Sequence, residues 1–107
     1  MKTTLLVASL LFAGISNAQA YKDDPTEQFD TASNYTNQST ISWVIVDNVQ
    51  KACEAESRKR GYNGFGFGVL ACSFYKGDQC TIITGKKTTM HSLGHEVRHC
   101  FQADWHK

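Results

Sequence analysis

Four cysteines in a short chain, Cys53, Cys72, Cys80 and Cys100, set the tightest limit on what this sequence can fold into. The chain has 107 residues, and its start reads as a removable export signal: Lys2, a mostly apolar run from Leu5 to Ile15, then Ala18-Gln19-Ala20 as a small-residue cleavage site. The apolar run is too short to span a membrane, and no cysteine stands at the cut to carry a lipid. Cleavage after Ala20 removes twenty of the 107 residues and leaves 87, near the size at which a hydrophobic core alone gives marginal stability. An even cysteine count in a small exported chain, periplasmic or secreted, predicts two disulfides with three connectivities open. A four-cysteine zinc site is the competing reading. It lacks a C-x-x-C pair, and an oxidising compartment works against free thiolates.

The formal net charge of +1 falls to zero when Lys2 leaves with the signal, so bulk charge points to neither nucleic acid nor a membrane surface. Residues 21–40 are polar and unperiodic, which reads as a flexible arm. Residues 41–107 then make one small domain. Within it, Ile41 to Val46 is β-branched and apolar enough for a strand or for the apolar entry to a helix. Asp47 reads as an N-cap, with Gln50 closing a capping box. Val49, Ala52 and Cys53 form the buried stripe of a helix that runs to about Arg60, where Gly61 supplies a left-handed end. The alternation Phe65-Gly66-Phe67-Gly68 suits a strand or a bend that another backbone approaches closely.

Val69 to Phe74 and Cys80 to Thr84 read as a hairpin around Tyr75-Lys76-Gly77, a three-residue loop with glycine in its left-handed position. In that register Phe74 faces Asp78 and Cys72 faces Cys80. A Cys72–Cys80 bridge follows, and Cys53–Cys100 by elimination, tying the first helix to the last. A one-residue shift of the turn would undo the inference.

The last helix carries His95-Glu96-Val97-Arg98-His99, an H-E-x-x-H motif, behind a cap at Thr88 or Thr89. Met90, Leu93, Val97 and Phe101, with Cys100 alongside, form its apolar stripe. Histidines four residues apart project from one face, one turn apart, so their imidazoles can share a zinc ion, and the intervening glutamate can take a proton from metal-bound water. Catalytic zinc wants a third protein ligand. His91 and His99 are eight residues apart, about 12 Å along a helix axis, and cannot both reach one ion. The third ligand is therefore expected at His106, with Asp104 as the alternative or as the partner that fixes a histidine tautomer.

The stretch from Leu93 to Phe101, followed by Asp104-Trp105-His106, resembles the zincin metallopeptidases, and more narrowly small exported bacterial proteins of predicted metallopeptidase type. The resemblance covers mainly the last third of the chain. It implies an α+β minimal zincin-like core: a first helix, a small antiparallel sheet with a hairpin, and the motif helix. It implies one zinc ion on His95 and His99, Glu96 as general base, and peptide-bond hydrolysis with a peptide or protein as substrate. The edge strand before the motif helix, here Thr81, Ile82, Ile83 and Thr84, would hold that substrate in extended form. Tyr62, Tyr75, His91 and Arg98 are candidate oxyanion donors. A non-catalytic, zinc-stabilised accessory module of an exported complex is the alternative.

Overall fold

Seven uncharged residues, T-I-S-W-V-I-V, begin the sheet, and two amphipathic helices cover the strands that follow. The computed structural model describes residues 25–104. After a 3-10 turn at Thr31–Ser33 come β1 (Thr40–Val46), α1 (Val49–Lys59), β2 (Ala71–Lys76), β3 (Gln79–Gly85) and α2 (Met90–Gln102). The proposed export signal lies outside the described residues, as does His106. No helix among the described residues is long and apolar enough to cross a membrane.

The fold is a small α+β arrangement. Its sheet is mixed rather than antiparallel, in the order β1-β3-β2. β2 pairs antiparallel with β3 and β1 pairs parallel with it. The central position of β3 corrects the expectation for Thr81, Ile82, Ile83 and Thr84. Both sides of that strand are already hydrogen-bonded to neighbours, so it has no free edge for a substrate; among the described residues the free edges belong to β1 and β2.

The hairpin closes through two residues, Gly77-Asp78, not three, with Gly77 at φ 60°. Lys76 therefore faces Gln79, Tyr75 faces Cys80, and Cys72 faces Ile83. This register puts Cys72 and Cys80 on opposite faces of the sheet, because side chains alternate along a strand. The bridges are accordingly Cys53–Cys72 and Cys80–Cys100, not the expected Cys72–Cys80 and Cys53–Cys100. Each bridge ties one helix to the face it covers.

Two cores result, one per face. Cys53, Val69, Cys72, Phe74 and Ile83 are buried under α1, with Phe65 and Phe67 packed against them. The alternating phenylalanines thus belong to a loop that lays its rings on this core, Phe65 against Phe74 at 6.2 Å between centroids. Under α2 lie Cys80, Ile82 and Cys100, joined by Tyr75, Leu93, Val97 and Phe101. Met90, expected in that stripe, is 83% exposed.

Caps fix the helix starts. The side chain of Asn48, one residue after the expected Asp47, accepts from the Lys51 amide at 3.0 Å. Asp47 instead pairs with Lys86 on the surface. Gln50 leaves the helix end alone and holds the following loop, donating to the Phe67 carbonyl and accepting from the Val69 amide. Gly61 takes a φ of 91°, the left-handed end that the sequence calls for. Thr89 caps α2, accepting from the Ser92 amide at 2.9 Å.

Candidate functional site

The motif lies in the middle and last turns of α2, and helical geometry divides its residues between flanks. Steps of about 100° per residue set His95 and His99 on one side and bring Glu96 round toward the sheet with Leu93 and Cys100. The two imidazoles stand with centroids 5.0 Å apart and planes at 68°, both half-buried. His99 Nδ1 meets the Ala103 carbonyl. A carbonyl only accepts, so Nδ1 carries the proton, and in the neutral ring Nε2 keeps its lone pair.

Glu96 is the unusual member. Its side chain is buried, 7% exposed, between α2 and the sheet. It hydrogen-bonds to Ser73 of β2, yet burial dominates and raises its pKa from 4.5 to about 7. A charged carboxylate loses solvation there, and the one hydroxyl offsets only part of the loss. The sequence already signals this placement: Glu96 falls three residues after Leu93 and four before Cys100, inside the buried stripe.

Two hollows lie near the candidate residues, and only the first is lined by α2. One, of about 510 Å³, lies between α2 and residues 25–34 and is lined by Phe29, Met90, His91, His95, Arg98 and Phe101 among others. The polar segment read as an arm is, from Pro25 on, laid along α2. Gln102 donates to the Asp30 carbonyl and to the Asn34 side chain, the Phe101 carbonyl accepts from the Tyr35 amide, and the Arg98 guanidinium sits 4.0 Å from the Phe29 ring centroid. The other hollow, about 830 Å³, runs beside β2 and is lined by Tyr62, Phe65, Ser73, Tyr75, Lys76 and Asp104 among others. Burial, with the nearby charge of Asp104, raises the Tyr75 pKa, so its phenol stays protonated as a donor.

The candidate residues therefore divide. His95, His91 and Arg98 line the hollow against the N-terminal segment; Tyr62, Tyr75 and Asp104 line the one at β2, where Ser73 connects to Glu96. Among the described residues no three His, Cys, Asp or Glu side chains converge as a metal site. Asp104, the alternative third ligand, is exposed beside Tyr75, and His106 lies outside the described residues.

Sequence reasoning missed Ser73, Gln102 and Ala103. Ala103 ends α2 at φ 53° and ψ −126°, a conformation that L side chains rarely adopt, and its carbonyl holds His99. Nothing in its local sequence marks that strain. No protein-family model, curated protein or solved structure matches this chain.

Proposed function

We propose that the protein is an exported zinc-dependent peptide hydrolase, with His95 and His99 as metal ligands and Glu96 as general base. The observation that carries this reading is the histidine pair one turn apart beside a carboxyl whose pKa burial has lifted to about 7. The donor chemistry fits zinc: two imidazoles, one of them fixed through Nδ1, so that in the neutral ring the lone pair is on Nε2. Zinc bound there would supply an activated water and polarise a carbonyl. Glu96, poised near neutral pH, accepts the proton and returns it to the leaving amine. Tyr75, kept protonated beside Asp104, is a candidate oxyanion donor, and it lines the hollow at β2 rather than the one that His95 lines. The free edge of β2 replaces β3 as the strand on which an extended peptide can lie. His106, or Asp104, completes the ligand set in this reading. Two disulfides are compatible with export.

One observation favours a second reading, a zinc-stabilised accessory module without turnover. Glu96 is nearly covered and turns toward Ser73 rather than into the hollow that His95 lines. Native mass spectrometry and a peptide-library cleavage assay separate the two. The hydrolase binds one zinc, loses it in His95→Ala and His99→Ala, and keeps it in Glu96→Gln while losing turnover. Full turnover by Glu96→Gln would overturn the mechanism; zinc without cleavage in the wild type would select the accessory module.

A further inference from the structure

We propose that β1 is a homodimer interface, through which two copies of this chain pair β1 to β1, antiparallel about a twofold axis at Trp43, into one six-stranded sheet. The inference rests on the exposure and register of β1 and is independent of the metal site.

Ile41, Trp43, Val44 and Ile45 are 39%, 50%, 42% and 56% exposed, a concentration of bare apolar side chains in a single strand. The cause is the fold. α1 and α2 lie over β2 and β3, while β1 packs chiefly against β3. Register places Ile41, Trp43 and Ile45 opposite Cys80, Ile82 and Thr84, hence on the α2 side of the sheet. There the Trp43 indole is anchored by donating to Thr84 Oγ1 at 2.9 Å.

The outer edge of β1 is also unprotected. Among the described residues no strand borders it, and alternate backbone amides and carbonyls along its seven residues point outward. Soluble proteins blunt such edges with lysine, proline, bulges or an overlying segment. The other edge strand, β2, ends in Lys76 and is bordered by a hollow holding Arg60 and Asp104. β1 has neither a charge nor a proline.

A second copy is the occupant that fits. Trp43 is the midpoint of Thr40–Val46, so full-length self-pairing sets Thr40 against Val46, Ile41 against Ile45 and Ser42 against Val44. No charge faces a like charge within the strand pair. At its ends, the region with the Asp47–Lys86 pair and Lys87 of one copy meets the hairpin end of the other, where Lys76 and Asp78 balance, so no strong like-charge repulsion opposes the pairing. Six apolar side chains, three per copy, become neighbours on the α2 side. Edge pairing of this length buries on the order of 700–1,000 Å² in total, below the size of stable specific interfaces and in the range of weak, transient association. The dimer is therefore reversible and concentration-dependent.

Sedimentation and amide hydrogen exchange across a concentration series of the full chain test this. The expected result is a mass that doubles at high concentration, with protection gained at Thr40–Val46. The register predicts a charge-swap pattern: Ile41→Lys/Ile45→Lys stays monomeric at every concentration, whereas Ile41→Lys/Ile45→Glu, which sets opposite charges across the axis, dimerises again. Circular dichroism of both variants verifies folding at these exposed positions. If either misfolds, the wild-type exchange pattern alone decides. A wild type that stays monomeric, a dimer whose protection lies elsewhere, or identical behaviour of the two folded variants would overturn the proposal.

Discussion

The two faces of the sheet are built alike and finished differently. Each has one helix and one disulfide, and the bridges close loops of nearly equal length, separations of 19 and 20 residues. Under α1 the filling is almost entirely apolar, with Ser57 the buried polar exception, its hydroxyl accepting from the Gly64 amide. Under and beside α2 the protein buries Glu96, Gln102 and Thr84. Thr84 and Gln102 have defined partners. Glu96 sits where its ionisation is opposed by desolvation. The buried polar groups beside the histidine pair are what the proposed hydrolase reading builds on, while the α1 face is packed apolar.

Removing the bridges gives the largest test of that division. By loop-closure entropy, Cys53→Ser/Cys72→Ser and Cys80→Ser/Cys100→Ser should each cost about 3 kcal/mol, so denaturant melts should barely distinguish them. Zinc affinity should. It survives loss of the α1-side bridge in protein that remains folded and drops on loss of the α2-side bridge, which anchors the turn after His99. Equal losses of affinity in the two folded variants would dissolve the contrast.

Glu96 gives the next effect, and its sign is opposite to that of an ordinary ion-paired carboxylate. Its folded pKa is raised, so the folded state holds the proton more tightly than the unfolded chain. The resulting stabilisation is complete below about pH 4.5 and lost as pH rises through about 7. In metal-free protein, Glu96→Gln should therefore gain stability relative to wild type between pH 5 and pH 8, by up to about 3 kcal/mol. Ser73→Ala removes the one bond that favours ionisation and should push the pKa higher. Parallel pH–stability curves for wild type and Glu96→Gln would show that the α2 face is as inert as the other.

The smallest effect concerns the end of α2. Ala103 holds a positive φ without a glycine, and Ala103→Gly should stabilise the protein by about 1 kcal/mol. If the strain serves to hold His99 through its carbonyl, the gain in melting temperature comes with weaker zinc binding. A gain in both would show that the strained turn has no part in orienting the histidine.

Much of the scaffold could be read from the residues: α1 and its glycine end, a hairpin before the last helix, and, each as one of two alternatives, a strand from Ile41 to Val46 and a Thr89 cap. These are local matters of periodicity, capping and backbone freedom, settled by neighbours a few positions apart. The chain also states its H-E-x-x-H, whereas Glu96 was expected beside the histidines and is instead turned inward between Leu93 and Cys100. The hairpin register was not legible. A glycine-centred loop of two residues and one of three are both good chemistry, and the choice moves Cys72 and Cys80 from the same face to opposite faces. What decided it was tertiary: α1 and α2 take opposite sides of the sheet, and each needs its own cysteine across from it. The insertion of β1 beside β3 was equally hidden, since parallel pairing joins residues some forty positions apart with no local signature. That insertion made β3 the centre, moved the available edges to β1 and β2, and left Ile41, Trp43 and Ile45 in the open. The sequence by itself determined which elements form and which side chains are candidates for the proposed chemistry. Only the tertiary structure decided which of them face one another, because strand order and register are set by what the whole chain can bury.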